Sequence, residues 1–134
     1  MAYLLDTNVI SELRKPKPHG AVVAWVQAIP EHALFIAAIT IGEIQAGIEI
    51  TRTQDWAKAV EIESWLNELV SAQHVIAADA EIFRRWAGLT HGRPDHHLED
   101  ALIAATALTH DLTVVTRNTK DFEPFGVNLV NPFQ

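Results

Sequence analysis

Four carboxylates, Asp6, Glu43, Asp100 and Asp121, stand at or just beyond places where apolar runs end. Singly, each has an ordinary local role. Thr40 and Glu43 are spaced as a T-x-x-E capping box, Glu99 and Asp100 suit the positive end of a helix dipole, and Asn118 to Asp121 could close a capped turn. Gathered at one edge they would repel one another, and such a group must hold either protons or a cation. Mg²⁺ resolves the conflict because it takes oxygen ligands and keeps several waters, so one or two direct carboxylates are enough. Asp6 and Asp100 are the expected direct ligands. Both are short side chains on rigid positions, and the neighbours Ala101, Ala104 and Ala105 are too small to account for Asp100 by packing.

The elements that must position these acids are readable from the apolar patterning. Residues 2 to 5 form an apolar run ending in Asp6, which predicts a buried first strand, and a helix should follow from Thr7 to Arg14. Pro16, Pro18 and Gly20 mark a loop, after which "AVVAWVQAI" is helical and "LFIAA" a second strand. Thr40 should open the next helix. From Thr53 to Ala72, the residues Trp56, Ala59, Val60, Ile62, Trp65, Leu66 and Leu69 recur at helical spacing, an amphipathic pattern. "HVIAA" reads as a third strand. Asp79 then caps a helix through Ile82, Phe83, Trp86 and Leu89, which Gly92 and Pro94 end. "LEDALIAATALTH" is apolar nearly all round, hence a buried helix, and "LTVVT" and "VNLV" supply the last two strands. Strands alternating with helices require crossover connections, so the fold class is α/β with a mostly parallel sheet. Ligands in such folds bind outside the carboxyl ends of the strands, where the four acids fall.

Composition narrows the function classes. The 134 residues suit one domain, and 49% hydrophobic with 20% charged residues is ordinary globular content. A net charge of −7 argues against a protein that coats nucleic acid electrostatically, though not against one that recruits cations to approach it. The chain has no cysteine, which rules out a thiol nucleophile and a thiolate metal site and favours a reducing interior such as the cytoplasm. No secretory signal or membrane-length apolar run is visible. Basic residues cluster at Arg14, Lys15 and Lys17 and again at Arg117 and Lys120.

Four stretches together, "LLDTNVISEL", "AITIGEIQAGI", "EDALIAATALTHDLTVVTRNTKDF" and the closing "VNPF", resemble a PIN-domain protein, specifically a VapC-like toxin ribonuclease of a type II toxin–antitoxin pair. The resemblance covers almost the whole chain in order. It implies a three-layer α/β/α domain over residues 1–134, with a mostly parallel sheet of four to five strands. It also implies cleavage of single-stranded RNA dependent on Mg²⁺ or Mn²⁺. On that pattern Asp6 and Asp100 are the main ligands, Glu43 is the third acid and Asp121 the outer fourth, with Glu43 or Asp121 as general base. Thr7, Asn8 and Thr116 would orient the metal shell. Many relatives carry an aspartate where this chain has Asn118, which can accept a hydrogen bond from water but adds no negative charge. Arg14, Lys15, Lys17 and Arg117 would meet phosphate. A small antitoxin protein and a homodimer are the implied partners, with Trp25, Ile44, Ile48 and Ile50 as candidate groove positions for the antitoxin.

Other readings make different demands. A housekeeping RNA-processing nuclease of the same family would lack the antitoxin. A histidine metal site would use His91, His96 and His97, and a haloacid dehalogenase-like phosphatase would need a D-x-D where this chain has Asn8. A non-enzymatic Mg²⁺-binding receiver module would need a lysine after a late strand, where Thr116 and Arg117 stand instead.

Overall fold

The apolar run that ends in Asp6 forms the middle strand of a parallel sheet. The computed structural model describes residues 1–93 and 98–134. Its strands are β1 (Tyr3–Leu5), β2 (Leu34–Ala37), β3 (His74–Ile76), β4 (Thr113–Val115) and β5 (Leu129–Val130). They lie in the order β3-β2-β1-β4-β5, and each neighbouring pair is parallel. Among the described residues seven α-helices flank this sheet: α1 (Thr7–Arg14), α2 (Gly20–Ala28), α3 (Ala38–Arg52), α4 (Trp56–Ala72), α5 (Ala80–Thr90), α6 (Leu98–His110) and α7 (Thr119–Phe122).

Side chains alternate across a strand, so each short strand serves two cores. Leu4, Ala37 and Val114 pack with Ala101, Ile103, Ala104, Ala107 and Phe122 from α6 and α7, with Trp86 and Leu89 of α5 beside them. Leu5, Ile36 and Val115 pack on the opposite face with Val9 and Ile10 of α1 and Val22 of α2, and residues of α3 and α4 close over them. The three-layer α/β/α expectation therefore holds. Helix α6 is buried continuously from Ala101 to Ala107. Its one hydroxyl in that stretch, Thr106, donates to the Leu102 carbonyl at 2.9 Å, so no polar group is stranded.

The structure corrects several local expectations. The Thr40/Glu43 capping box does not form, because α3 begins at Ala38 with Ala37 as a cap lacking any side-chain hydrogen bond. Thr40 is instead inside the helix and fully buried. The long amphipathic helix starts at Trp56, capped by Asp55, because α3 runs on to Arg52 and the residues between form the turn. Trp56 and Val60 are 65% and 46% exposed, off the apolar face of α4, which is carried by Ala59 and Leu66. Of the four candidate antitoxin-groove residues, Ile48 is buried against α4 and Trp25 and Ile44 are half-buried on the core around Leu5, while Ile44 and Ile48 also line a cleft between α1, α3 and α4. Ile44 and Ile48 are one helical turn apart and share the α4-facing side, whereas Ile50 falls on the exposed side. Among the described residues no helix is long and apolar enough to cross a membrane. Pro94, the second of the two residues expected to end α5, lies outside the described residues.

Helix α6 ends on Asp111 at φ 54°, a left-handed conformation where glycine is the usual residue, while Leu112 N donates to Ala107 O at 2.8 Å. Asp111→Gly should therefore raise unfolding stability by on the order of 0.5–1 kcal/mol. The check is a higher urea midpoint at unchanged m-value; a lower midpoint would contradict this account of the turn.

Candidate active site

From β1 the chain winds outward to β2 and β3, then crosses back to β4 and β5 on the other side. The reversal leaves a crevice at the carboxyl ends of β1 and β4, the position where such sheets bind ligands. Asp6 follows β1 there, and its backbone N–H donates to Val115 O at 2.9 Å, so the acid is pinned to the neighbouring strand.

Asp6 caps α1 as well as facing the crevice. Its Oδ1 accepts from Thr7 N at 2.8 Å, and its Oδ2 accepts from Asn8 Nδ2 at 3.0 Å and from Thr116 Oγ1 at 2.7 Å. Thr116, wholly buried, also accepts from Asn8 Nδ2 at 3.3 Å and from Asn118 N at 3.0 Å. A hydroxyl offers one donor and two acceptor sites. Thr116 is thus saturated, with its proton committed to Asp6. Burial raises the Asp6 carboxyl above its ordinary range even against these three hydrogen bonds, and the charge of Asp121 pushes the same way.

Glu43 reaches the same place from α3. Thr7 Oγ1 donates to Glu43 Oε1 at 3.1 Å, so one residue braces two acids through two different atoms. Burial pushes Glu43 up to about 6, and the charges of Asp6, Glu99 and Asp100 add to it. Asp100, in the first turn of α6, therefore stands within the field of Glu43, as Asp121 on α7 does within that of Asp6. The structure brings all four predicted acids to one region. Glu99 and Thr40 belong to that region too; Thr40 Oγ1 lies 3.4 Å from Thr7 Oγ1. Glu99 sits in the first turn of α6, as its spacing suggests, whereas no local signal marks Thr40 as part of this region.

The donor chemistry suits a hard divalent cation, since the acids offer only oxygen ligands. Among the described residues no three of these acids close into a ligand cage. Mg²⁺ keeps much of its water and takes only one or two direct carboxylates, so it needs no such cage. His91 is exposed beyond α5, and His96 and His97 lie outside the described residues.

The basic residues separate. Arg14 lines a cleft of about 240 Å³ between α1, α3 and α4, together with Thr7, Ser11 and Glu43. Lys15 Nζ is held by Glu12 Oε1 at 2.9 Å, and the other oxygen of that buried acid accepts from His19 N, tying down the loop that carries Lys17. Arg117 lies elsewhere beside α1, its Cζ 4.2 Å from the centre of the Phe133 ring and its backbone N–H donated to Asn8 Oδ1 at 3.2 Å. Asn118 is exposed and joins the network through its backbone.

Comparison with known proteins gives a consistent picture. The PIN domain family matches residues 3–126. A VapC ribonuclease, Y4jK, of Sinorhizobium fredii is 36% identical, covering 98% of this chain and 97% of that one. The crystal structure of FitAcB from Neisseria gonorrhoeae superposes with a TM-score of 0.86 at 31% identity, over 98% of this chain and 99% of that one. A toxin–antitoxin complex from Klebsiella pneumoniae does so with a TM-score of 0.76 at 29% identity, over 99% of each chain.

Glu43 has an ordinary value of 4.5 and titrates at about 6 in the fold. The folded state is thus favoured by this group below pH 4.5, and that advantage is lost as pH rises through 6. In metal-free buffer at pH 7, Glu43→Gln should raise stability by no more than about 2 kcal/mol, and by less because water screens a half-exposed group. The gain should vanish at pH 4. Urea midpoints at the two pH values test this, and equal midpoints for variant and parent at pH 7 would refute it.

Proposed function

The chain belongs to the PIN-domain family as a VapC-like toxin, and from that premise we propose that it is a Mg²⁺- or Mn²⁺-dependent endoribonuclease. It cleaves single-stranded RNA in the cytoplasm and is silenced by a small antitoxin protein. The observation that carries this reading is the convergence of Asp6, Glu43, Asp100 and Asp121 on the β1/β4 crevice, where burial and mutual repulsion hold Asp6 and Glu43 above their ordinary range. Residues 1–134 act as one nuclease unit, and the resemblance assigns it a homodimer.

A bound divalent cation supplies a lowered water pKa and charge to offset the phosphate oxygens. Asp6 and Asp100 would hold that cation. Thr7, Asn8 and Thr116 keep Asp6 in a single orientation, so the ligand needs no rearrangement to bind. Glu43, which Thr7 Oγ1 holds at the crevice, is the candidate to accept a proton, and Asp121 is the other. Arg14, Lys17 and Arg117 contact RNA phosphates, while Lys15 divides its charge between phosphate and Glu12. The antitoxin occupies the cleft between α1, α3 and α4 and brings a basic side chain to the acids that otherwise hold the cation. The Klebsiella pneumoniae toxin–antitoxin complex supports that partner class.

Purified protein should cut single-stranded RNA with Mg²⁺ or Mn²⁺ and not in EDTA. Asp6→Asn and Asp100→Asn should each lower the rate by at least about 100-fold while leaving the circular dichroism spectrum intact. Undiminished cleavage in both variants would sink the site. Expression should arrest growth, and co-expression of an antitoxin encoded by an adjacent short reading frame should relieve it; arrest without relief favours an unpaired RNA-processing nuclease.

A further inference from the structure

A second polar recess adjoins the acids on the side away from α3. It is a cleft of about 380 Å³ at the carboxyl ends of β4 and β5, lined by Arg117, Asn118, Lys120, Asp121, Asn131 and Gln134. The volume is within the range of small-ligand sites. Asp121 belongs to both this cleft and the acid cluster, since its charge acts on Asp6. Asn118, also in the lining, is joined to Asp6 through Thr116, so the cleft neighbours the acid cluster.

Resting on the nuclease reading, we propose that this cleft is a nucleotide subsite that holds the residue of single-stranded RNA next to the scissile phosphate. Arg117 and Lys120 meet its phosphate, Phe133 is the positioning residue for Arg117, and Asn131 reads a base edge. Three features support this assignment. First, the Arg117 guanidinium is stacked over Phe133, which fixes an otherwise flexible arm and leaves its N–H edge for an anion. Among the described residues no ion pair engages it. Second, Phe133 is itself immobilised, edge-on to His19 at 5.4 Å and packed on the core around Leu5 and Val9. Third, Asn131 Oδ1 accepts from Phe133 N at 2.9 Å, so its carboxamide is oriented and Nδ2 remains as a donor suited to a base oxygen or ring nitrogen. A broader basic face on α5, with Arg84 and Arg85, is the competing RNA surface, but it is shallow and built on one helix with no shared acid.

Binding of a fluorescein-labelled randomised RNA ten-mer to the Asp100→Asn chain separates these surfaces. Adding Arg117→Ala or Lys120→Ala should weaken binding by about 3- to 10-fold and lower the salt slope by about 1 each. Phe133→Leu should weaken it similarly, with Phe133→Tyr restoring it and with no further effect once Arg117 is alanine. In the otherwise wild-type enzyme, Asn131→Ala should relax the base preference at one position beside the cut by about 5-fold, read by sequencing the product ends, and an unchanged preference would remove Asn131 from the subsite. Binding unaffected by Arg117→Ala and Lys120→Ala but weakened by Arg84→Ala and Arg85→Ala would overturn the subsite and leave the nuclease reading standing. If the wild-type chain neither cuts nor binds RNA, the nuclease reading falls and takes the subsite with it.

Discussion

The hydrogen bond from Thr116 to Asp6 joins the ends of β1 and β4 across the one place where the sheet reverses its winding. It is a buried, charge-assisted contact, and the rest of the candidate site is arranged around it. Asp6 at once terminates a strand, caps α1 and faces the crevice, so moving it would disturb all three. Its burial outweighs three hydrogen bonds in setting its acidity. The fold thus holds a carboxylate in a position that favours either a proton or a nearby positive charge, which is the electrostatic condition a cation-binding site requires.

The two helical layers deliver the other acids by different means. Helix α6 presents small residues, Ala101, Ala104 and Ala105, to the interior, which lets its backbone lie close and carries Asp100 to the sheet edge. Helix α3 brings Glu43 across from the opposite layer, where Thr7 meets it. Thr7 therefore couples the two sides of the crevice through one side chain and one amide. Repulsion among the acids costs stability in the metal-free chain, and the hydrophobic burial on both sheet faces sustains that cost.

Charge is distributed by position rather than by sequence proximity. Arg14 and Lys15 are adjacent in the chain, yet one lines the α1/α3/α4 cleft and the other is bound to Glu12. Arg117 and Phe133 come from separate strand ends and meet over α1. A net acidic chain can in this way offer anion contacts on two flanks of an acidic centre, which accords with a substrate whose phosphates approach through cation and arginine together.

The order of elements, the parallel α/β class and the bounds of α1 at Thr7 and Arg14 were legible in the sequence, because apolar periodicity and turn residues act within windows of a few residues. The acids after the strands were visible for the same reason. Which apolar residues are buried was not, as Ile48 and Ile50 or Ala59 and Val60 show: neighbours in sequence, they face opposite environments decided by where α3 meets α4. That Thr40 lies inside α3 rather than capping it was equally undecidable from local spacing. The saturation of Thr116, the pairing of Arg117 with Phe133 and the placement of β4 beside β1 belong to tertiary structure alone. Asp6 and Thr116 are 110 residues apart, and no local pattern encodes a hydrogen bond over that separation; chain crossover and sheet order create it.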